Sequence, residues 1–167
     1  MMGHLEDRWD RRQDSYRDGR EPFTAQGAVM IAAQPQTVWD FLHSPGTGVL
    51  LDHRFIKRFP VPGTPAEGVG HQYCTFSMGD QGALAVTVSE VVEYDPPRRY
   101  LRKIINADVP ILEAHTIAEV PGGCSYAVSF GLRIPSGTSR SVGLEIQRDL
   151  EEHAAKVKAF VESGAKG

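Results

Sequence analysis

The sequence has little of what marks a stapled, secreted or membrane-spanning chain. It holds two cysteines, Cys74 and Cys124, among 167 residues. They have neither metal-ligand spacing nor partners enough for a disulfide framework, so both read as reduced core residues. No apolar run reaches the 18 residues that a membrane span needs. The N-terminus is charged and lacks the apolar stretch of a secretory signal, which makes a cytoplasmic protein the expectation. There is no excess of basic residues: Lys and Arg number 18 against 21 Asp and Glu, for a net charge of −3. That argues against a nucleic-acid partner, whose phosphates demand clustered cations. Nucleophile elbow, phosphate loop and dinucleotide fingerprint are all missing. Six histidines, at positions 4, 43, 53, 71, 115 and 153, form no HExxH or similar pattern, so neither a metal nor a cofactor is expected.

What is present is the composition of an ordinary globular chain, 41% hydrophobic and 23% charged. A chain this long buries roughly 70% of its unfolded surface and needs no staple. Residues 1–22 alternate Arg with Asp and offer only Leu5, Trp9 and Tyr16 for burial. They predict a flexible or weakly helical arm ahead of one domain over 23–167. A sharper alternative docks Trp9 on that domain or on a second subunit.

Residues 27–32 predict a strand. Pro35 suits the first turn of a following helix, and Val38, Phe41 and Leu42 give it an apolar stripe that Trp39 broadens. Residues 47–59 predict a short second helix or an irregular lid. A strand follows over 69–78, then a turn over 79–82. In residues 83–94, Leu84, Val86, Val88, Val92 and Tyr94 alternate with smaller or polar residues, which predicts that this set faces inward with Glu90 as its only charge. Further strands are predicted over 99–106, 111–120 and 124–132. Val142, Ile146, Leu150, Ala154, Val157 and Val161 predict a long helix over 139–163.

Antiparallel strands joined by short turns need one face covered, and the last helix has the apolar stripe to cover it. Three stretches make the chain resemble the START-like (SRPBCC) superfamily, particularly its polyketide cyclase/dehydrase and lipid-transport group. IAAQPQTVWDFL resembles the family's opening strand and helix, and VSEVVEYDPPRRYLRKI its mid-sheet hairpin. SYAVSFGL with DLEEHAAKVKAFVES resembles its last strand and gripped helix. The likeness runs over roughly residues 26–163. It departs from the family in residues 48–59, which lack the Trp that many relatives carry near the cavity mouth. The resemblance implies an α+β helix-grip fold, in which a curved antiparallel sheet wraps a C-terminal helix around an internal cavity. It further implies a hydrophobic ligand and, in some members, cyclisation or dehydration without a cofactor.

Residues that suit such a cavity follow from the pattern. Glu90, desolvated on an inward face, would have a raised pKa and act as an acid or base. The alternative places it at a strand end beside solvent or an arginine. His115 shares a face with Glu113, and the two either line the cavity or face water while Leu112, Ala114 and Ala118 pack inside. Tyr126 completes the candidate catalytic set, and Tyr73 joins it as a residue that would orient a ligand or simply fill the core. His53, Phe55, Phe76, Val88, Phe130, Leu144 and Leu150 are the remaining candidate ligand contacts. Two functions fit. One is the binding of a small hydrophobic molecule, polyketide-like, aromatic or lipid. The other is a cyclase or dehydratase acting in the same cavity. A third option fills the cavity with the protein's own side chains. Stable membrane insertion is not expected, and a homodimer through the sheet edge or the arm is left open.

Overall fold

The computed structural model describes residues 20–135 and 140–164. Strand β1 (Arg20–Ile31) leads into helix α1 (Pro35–His43) and a single helical turn, α2 (Thr47–Leu51). Strands β2 (Phe55–Pro60), β3 (Gln72–Met78), β4 (Leu84–Asp95), β5 (Arg99–Ile104), β6 (Ile111–Val120) and β7 (Gly123–Pro135) follow, and helix α3 (Arg140–Glu162) closes the order. The seven strands form one curved antiparallel sheet in the order β1-β7-β6-β5-β4-β3-β2. This is a helix-grip fold, as the resemblance implied.

α1 begins at Pro35, where a missing N–H costs nothing, and turns Val38, Trp39 and Phe41 inward. It ends where Ser44 leaves the helical region and its N–H bonds the Phe41 carbonyl. On α3, Leu150, Ala154, Val157 and Val161 recur at the spacing that keeps them on one stripe, and all are buried. That stripe lies on β1. A Cβ at Gly27 would stand 2.0 Å from the Leu150 carbonyl oxygen, so helix and strand meet backbone to backbone there. The helix also touches β7; among the described residues, β3, β4 and β5 have no comparable packing against it. The core follows the same asymmetry. Its main cluster comes from β1, α1, β6, β7 and α3, while Tyr73, Val91 and Leu101 are buried apart from it on β3, β4 and β5.

Three expectations need correction. Residues 55–60, expected in a helix or lid, form edge strand β2. Residues 20–22, expected in the arm, pair with β7; the rest of the arm, with Trp9, lies outside the described residues. On β4, the register shifts between Val91 and Glu93. Before this bulge the inward residues are Ser89 and Val91, 0% and 2% exposed. Leu84, at 61%, and Val86, at 42%, lie on the outer face with Glu90. Beyond it, Tyr94 turns inward beside Tyr100. One extra residue flips the alternation, so no single period-two set describes the strand.

Candidate functional site

Register brings polar side chains together on the concave face. Tyr100 stands opposite His115 and Arg102 opposite Glu113 across β5–β6. Tyr126 on β7 is opposite Ile117, one pleat along the same face as His115. Tyr73 on β3 is opposite Ser89. These groups form a continuous hydrogen-bonded chain. Nη2 of Arg102 lies 2.6 and 2.7 Å from the two carboxylate oxygens of Glu113. Nη1 of the same guanidinium donates to the Tyr73 hydroxyl at 2.6 Å, and that hydroxyl is 2.8 Å from the hydroxyl of Tyr100. Glu113 also lies 2.7 Å from His115 Nε2, whose Nδ1 is 2.8 Å from the Tyr126 hydroxyl.

Burial alone would raise the Glu113 pKa, but the Arg102 charge and the His115 hydrogen bond outweigh it and hold the carboxyl far below its ordinary value. Ionised Glu113 therefore accepts from Nε2–H of His115. Nδ1 is then left to accept from Tyr126, whose hydroxyl burial keeps protonated. Desolvation opposes the charge on Arg102 as well, yet Glu113 and the nearby phenols push its pKa further up. Burial, with Tyr73 beside it, also raises Tyr100. The two phenols share one hydrogen bond and accept one from Arg102, so one hydroxyl hydrogen remains for a ligand. Arg102 Nε, Ser89 Oγ and His153 Nε2 are buried without a partner. Such atoms are costly in a filled core and useful where a polar molecule enters.

His43, the last residue of α1, completes the site. Its ring stacks on Trp39 at 4.2 Å and meets Tyr100 edge-on at 5.2 Å. Nδ1–H donates to the Trp39 carbonyl at 2.8 Å, which fixes the tautomer and leaves the Nε2 lone pair free. The residue is exposed, yet burial among its neighbours lowers its pKa below 6.5. At the same end, Tyr94 donates a hydrogen bond to Glu67, which together with burial raises its pKa to about 12. His153 reaches in from α3 to 6.0 Å from His115, and burial lowers its pKa to about 4. Thr75 and Thr87 pair across β3–β4 and offer small polar surface on the same face. A separate depression of about 460 Å³ near Gln34 and the β6–β7 turn is shallow and holds none of these groups. No group of three or more His, Cys, Asp or Glu fit to hold a metal occurs among the described residues.

Of the residues singled out from sequence, His115, Tyr126 and Tyr73 meet here. Phe55 lies on the same face at β2, and Phe130 does so on β7, partly buried against the core. Leu150 is in the core, against Gly27. The others lie elsewhere. Glu90 points to the outer face and accepts from Gln72 Nε2 at 2.7 Å. Phe76 and Val88 share that face, where Phe76 meets Phe59. Leu144 is 60% exposed, and His53 is exposed between α2 and β2. His43, Arg58, Tyr100, Arg102 and His153 did not stand out in the sequence. The signal for His43 was its place four residues after Trp39. For Arg102 and Glu113 it was register, which one strand's sequence does not carry.

No family model and no curated protein matches the sequence. Solved structures match the fold. The di-domain ARO/CYC StfQ from the steffimycin biosynthetic pathway superposes at TM-score 0.70 with 12% identity, over 97% of this chain and 61% of that one. The di-domain ARO/CYC BexL from the BE-7585A pathway superposes at 0.65 with 17% identity, over 87% and 50%. Ara h 8.0201 superposes at 0.65 with 13% identity, over 86% and 99%. The chain thus spans about half of BexL and nearly the whole of Ara h 8.0201. These likenesses bear on the fold. No helix among the described residues is long and apolar enough to cross a membrane.

Proposed function

We propose that the concave face binds a small aromatic or polyketide-like molecule and catalyses an intramolecular cyclisation or dehydration by acid–base chemistry, without a cofactor. The carrying observation is His43, which offers a free, accessible and neutral Nε2 beside a tyrosine–arginine hydrogen-bond chain. A carrier of purely apolar molecules has no use for this arrangement. Burying Arg102, Glu113 and three phenols beside it costs stability that apolar packing would not.

Chemistry follows from the placement. His43 Nε2 removes a proton from a carbon flanked by carbonyls, and the electron pair moves into an enolate. The one phenol hydrogen that Tyr73 and Tyr100 leave free donates to the enolate oxygen, and Arg102, which donates to Tyr73, polarises that pair. The enolate carbon attacks a second carbonyl of the same molecule, a carbon–carbon bond forms, and the new alkoxide takes the proton from His43. Loss of water then gives the unsaturated ring. Holding one folded conformer of the chain supplies much of the rate. His115 has both nitrogens engaged, so its role is to position Glu113 and Tyr126 rather than to touch substrate.

The likeness to BexL and StfQ supports this reading, as both are ARO/CYC proteins of biosynthetic pathways. Its runner-up is simple carriage, favoured by the aromatic lining of Trp39, Tyr94 and Tyr100. The test is turnover of a short synthetic poly-β-ketone by the intact chain and by His43→Gln. Product formed faster than in buffer and lost in the variant supports catalysis. Binding without turnover in either protein supports carriage.

A further inference from the structure

The concave face carries a second arginine, and among the described residues this one has no counter-ion. Arg58 on β2 stands opposite Thr75, and its Nε–H donates to the Thr75 hydroxyl at 3.3 Å. Its guanidinium carbon lies 4.5 Å from the centre of the Tyr73 ring and 5.7 Å from that of Phe55. Both rings belong to the face described above, and the Arg58 charge acts on His43. Neighbouring arginines are matched differently. Arg54 pairs with Asp52, Arg98 with Asp95, Arg99 with Glu93 and Arg102 with Glu113. Among the described residues, Arg58 has no carboxylate partner, and the residue is exposed. Lys57, next in the chain, turns to the opposite face and sits over Phe59.

A guanidinium held over aromatic rings and tethered through Nε keeps its two terminal nitrogens as an open fork. That fork matches a planar oxyanion bidentately, and the ordering cost is already met by the stacking. We infer that the natural ligand is a free acid, an aromatic or polyketide-like molecule whose carboxylate is gripped by Arg58 while its body runs along Tyr73 toward Tyr100 and His43. The inference rests on the proposed use of this face as the ligand site and adds the ligand's chemical class. It also separates two kinds of substrate. A chain whose only acyl end is an ester or thioester has no carboxylate for this contact.

Two probes of one shape test it on the full chain by calorimetry: 2-naphthoate, with the carboxylate, and 2-naphthol, without it. Naphthoate is expected to bind roughly ten- to a hundredfold more tightly than naphthol, the range of a charge-assisted pair. Arg58→Gln should weaken naphthoate by that factor and leave naphthol unchanged. Arg58→Lys should recover part of the preference, and Lys57→Gln, on the outer face of the same strand, should change neither probe. Naphthol bound as tightly as naphthoate, or a preference surviving in Arg58→Gln, overturns the assignment while leaving the ligand site standing. Failure of both probes to bind overturns the site and the acid together. Circular dichroism of each variant guards against misfolding.

Discussion

Replacing Glu113 by Gln keeps the shape of the side chain and an acceptor oxygen, but deletes the charge that faces Arg102. The two side chains are 8% and 19% exposed, so water does little to compensate. The guanidinium stays charged and is left with phenols and an amide around it. Removing one partner of a buried pair costs about 3–5 kcal/mol. The retained hydrogen bonds place Glu113→Gln at the lower end, about 3 kcal/mol, or a fall in Tm of roughly 6–12 °C for a chain of this size. Removing both charges in Arg102→Met/Glu113→Leu should return stability to within about 1 kcal/mol of the parent, since no orphan charge remains. Urea unfolding at pH 7 measures all three proteins. The pH dependence adds a second check. The folded pKa of Glu113 lies below its ordinary 4.5, so its contribution is complete above pH 4.5 and fades as pH falls toward the folded value. The gap between parent and Glu113→Gln should therefore persist above pH 4.5 and close below it. A loss under about 1 kcal/mol at pH 7, or a gap that widens in acid, would refute the reasoning.

Three further outcomes follow from the same geometry. His43→Gln should lower kcat by roughly 10²–10⁴ with little change in KM, and the midpoint of the parent's rate-against-pH profile should fall below pH 6.5, because burial lowers the His43 pKa; a midpoint above pH 6.5 would count against His43 as the base. His153 has a folded pKa of about 4 against an ordinary 6.5, so the unfolded chain takes up the proton first and folding weakens as pH falls between those values. The gap is worth roughly 3 kcal/mol by pH 4, and His153→Gln should flatten that slope in urea titrations at pH 7 and 4.5. Gly27→Ala should cost about 3 kcal/mol, because its methyl group would lie 2.0 Å from the Leu150 carbonyl oxygen; a Tm within 2 °C of the parent, read by calorimetry, would show that α3 shifts freely.

Much of the scaffold was legible because it is local. Pro35 with Val38 and Phe41, or Leu150 with Ala154 and Val157, declare their helices within a few turns. Apart from β2, the strands were legible as strands. What failed was which side faced in. Glu90 drew attention through an alternation that is real over 84–90 but belongs to the outer face, and the bulge near Val92 then carried Tyr94 across. Partnership was equally hidden. Arg102 and Glu113 sit eleven residues apart on two strands, and only the β5–β6 register sets them opposite. Arg58 looked like one of several cations in a wet segment, because the edge strand that aims it was not foreseen. His43 sat at a helix end, where a histidine is an ordinary find. Its chemistry comes from the Trp39 carbonyl and the Tyr100 ring, one close in sequence and one distant.

The main core cluster gathers on the β1, β7, α1 and α3 side, while most of the polar face is built on β3, β5 and β6. Cohesion and selectivity are thereby assigned to different strands. Half-buried residues such as Thr75 and Thr87 lie away from the contact of helix and Gly27, so exchanging them should not loosen it. Such a division lets one container be refitted without rebuilding its core. For engineering, it means that a library restricted to the β3–β4 wall should yield folded variants at a rate that a library along β1 or α3 would not approach.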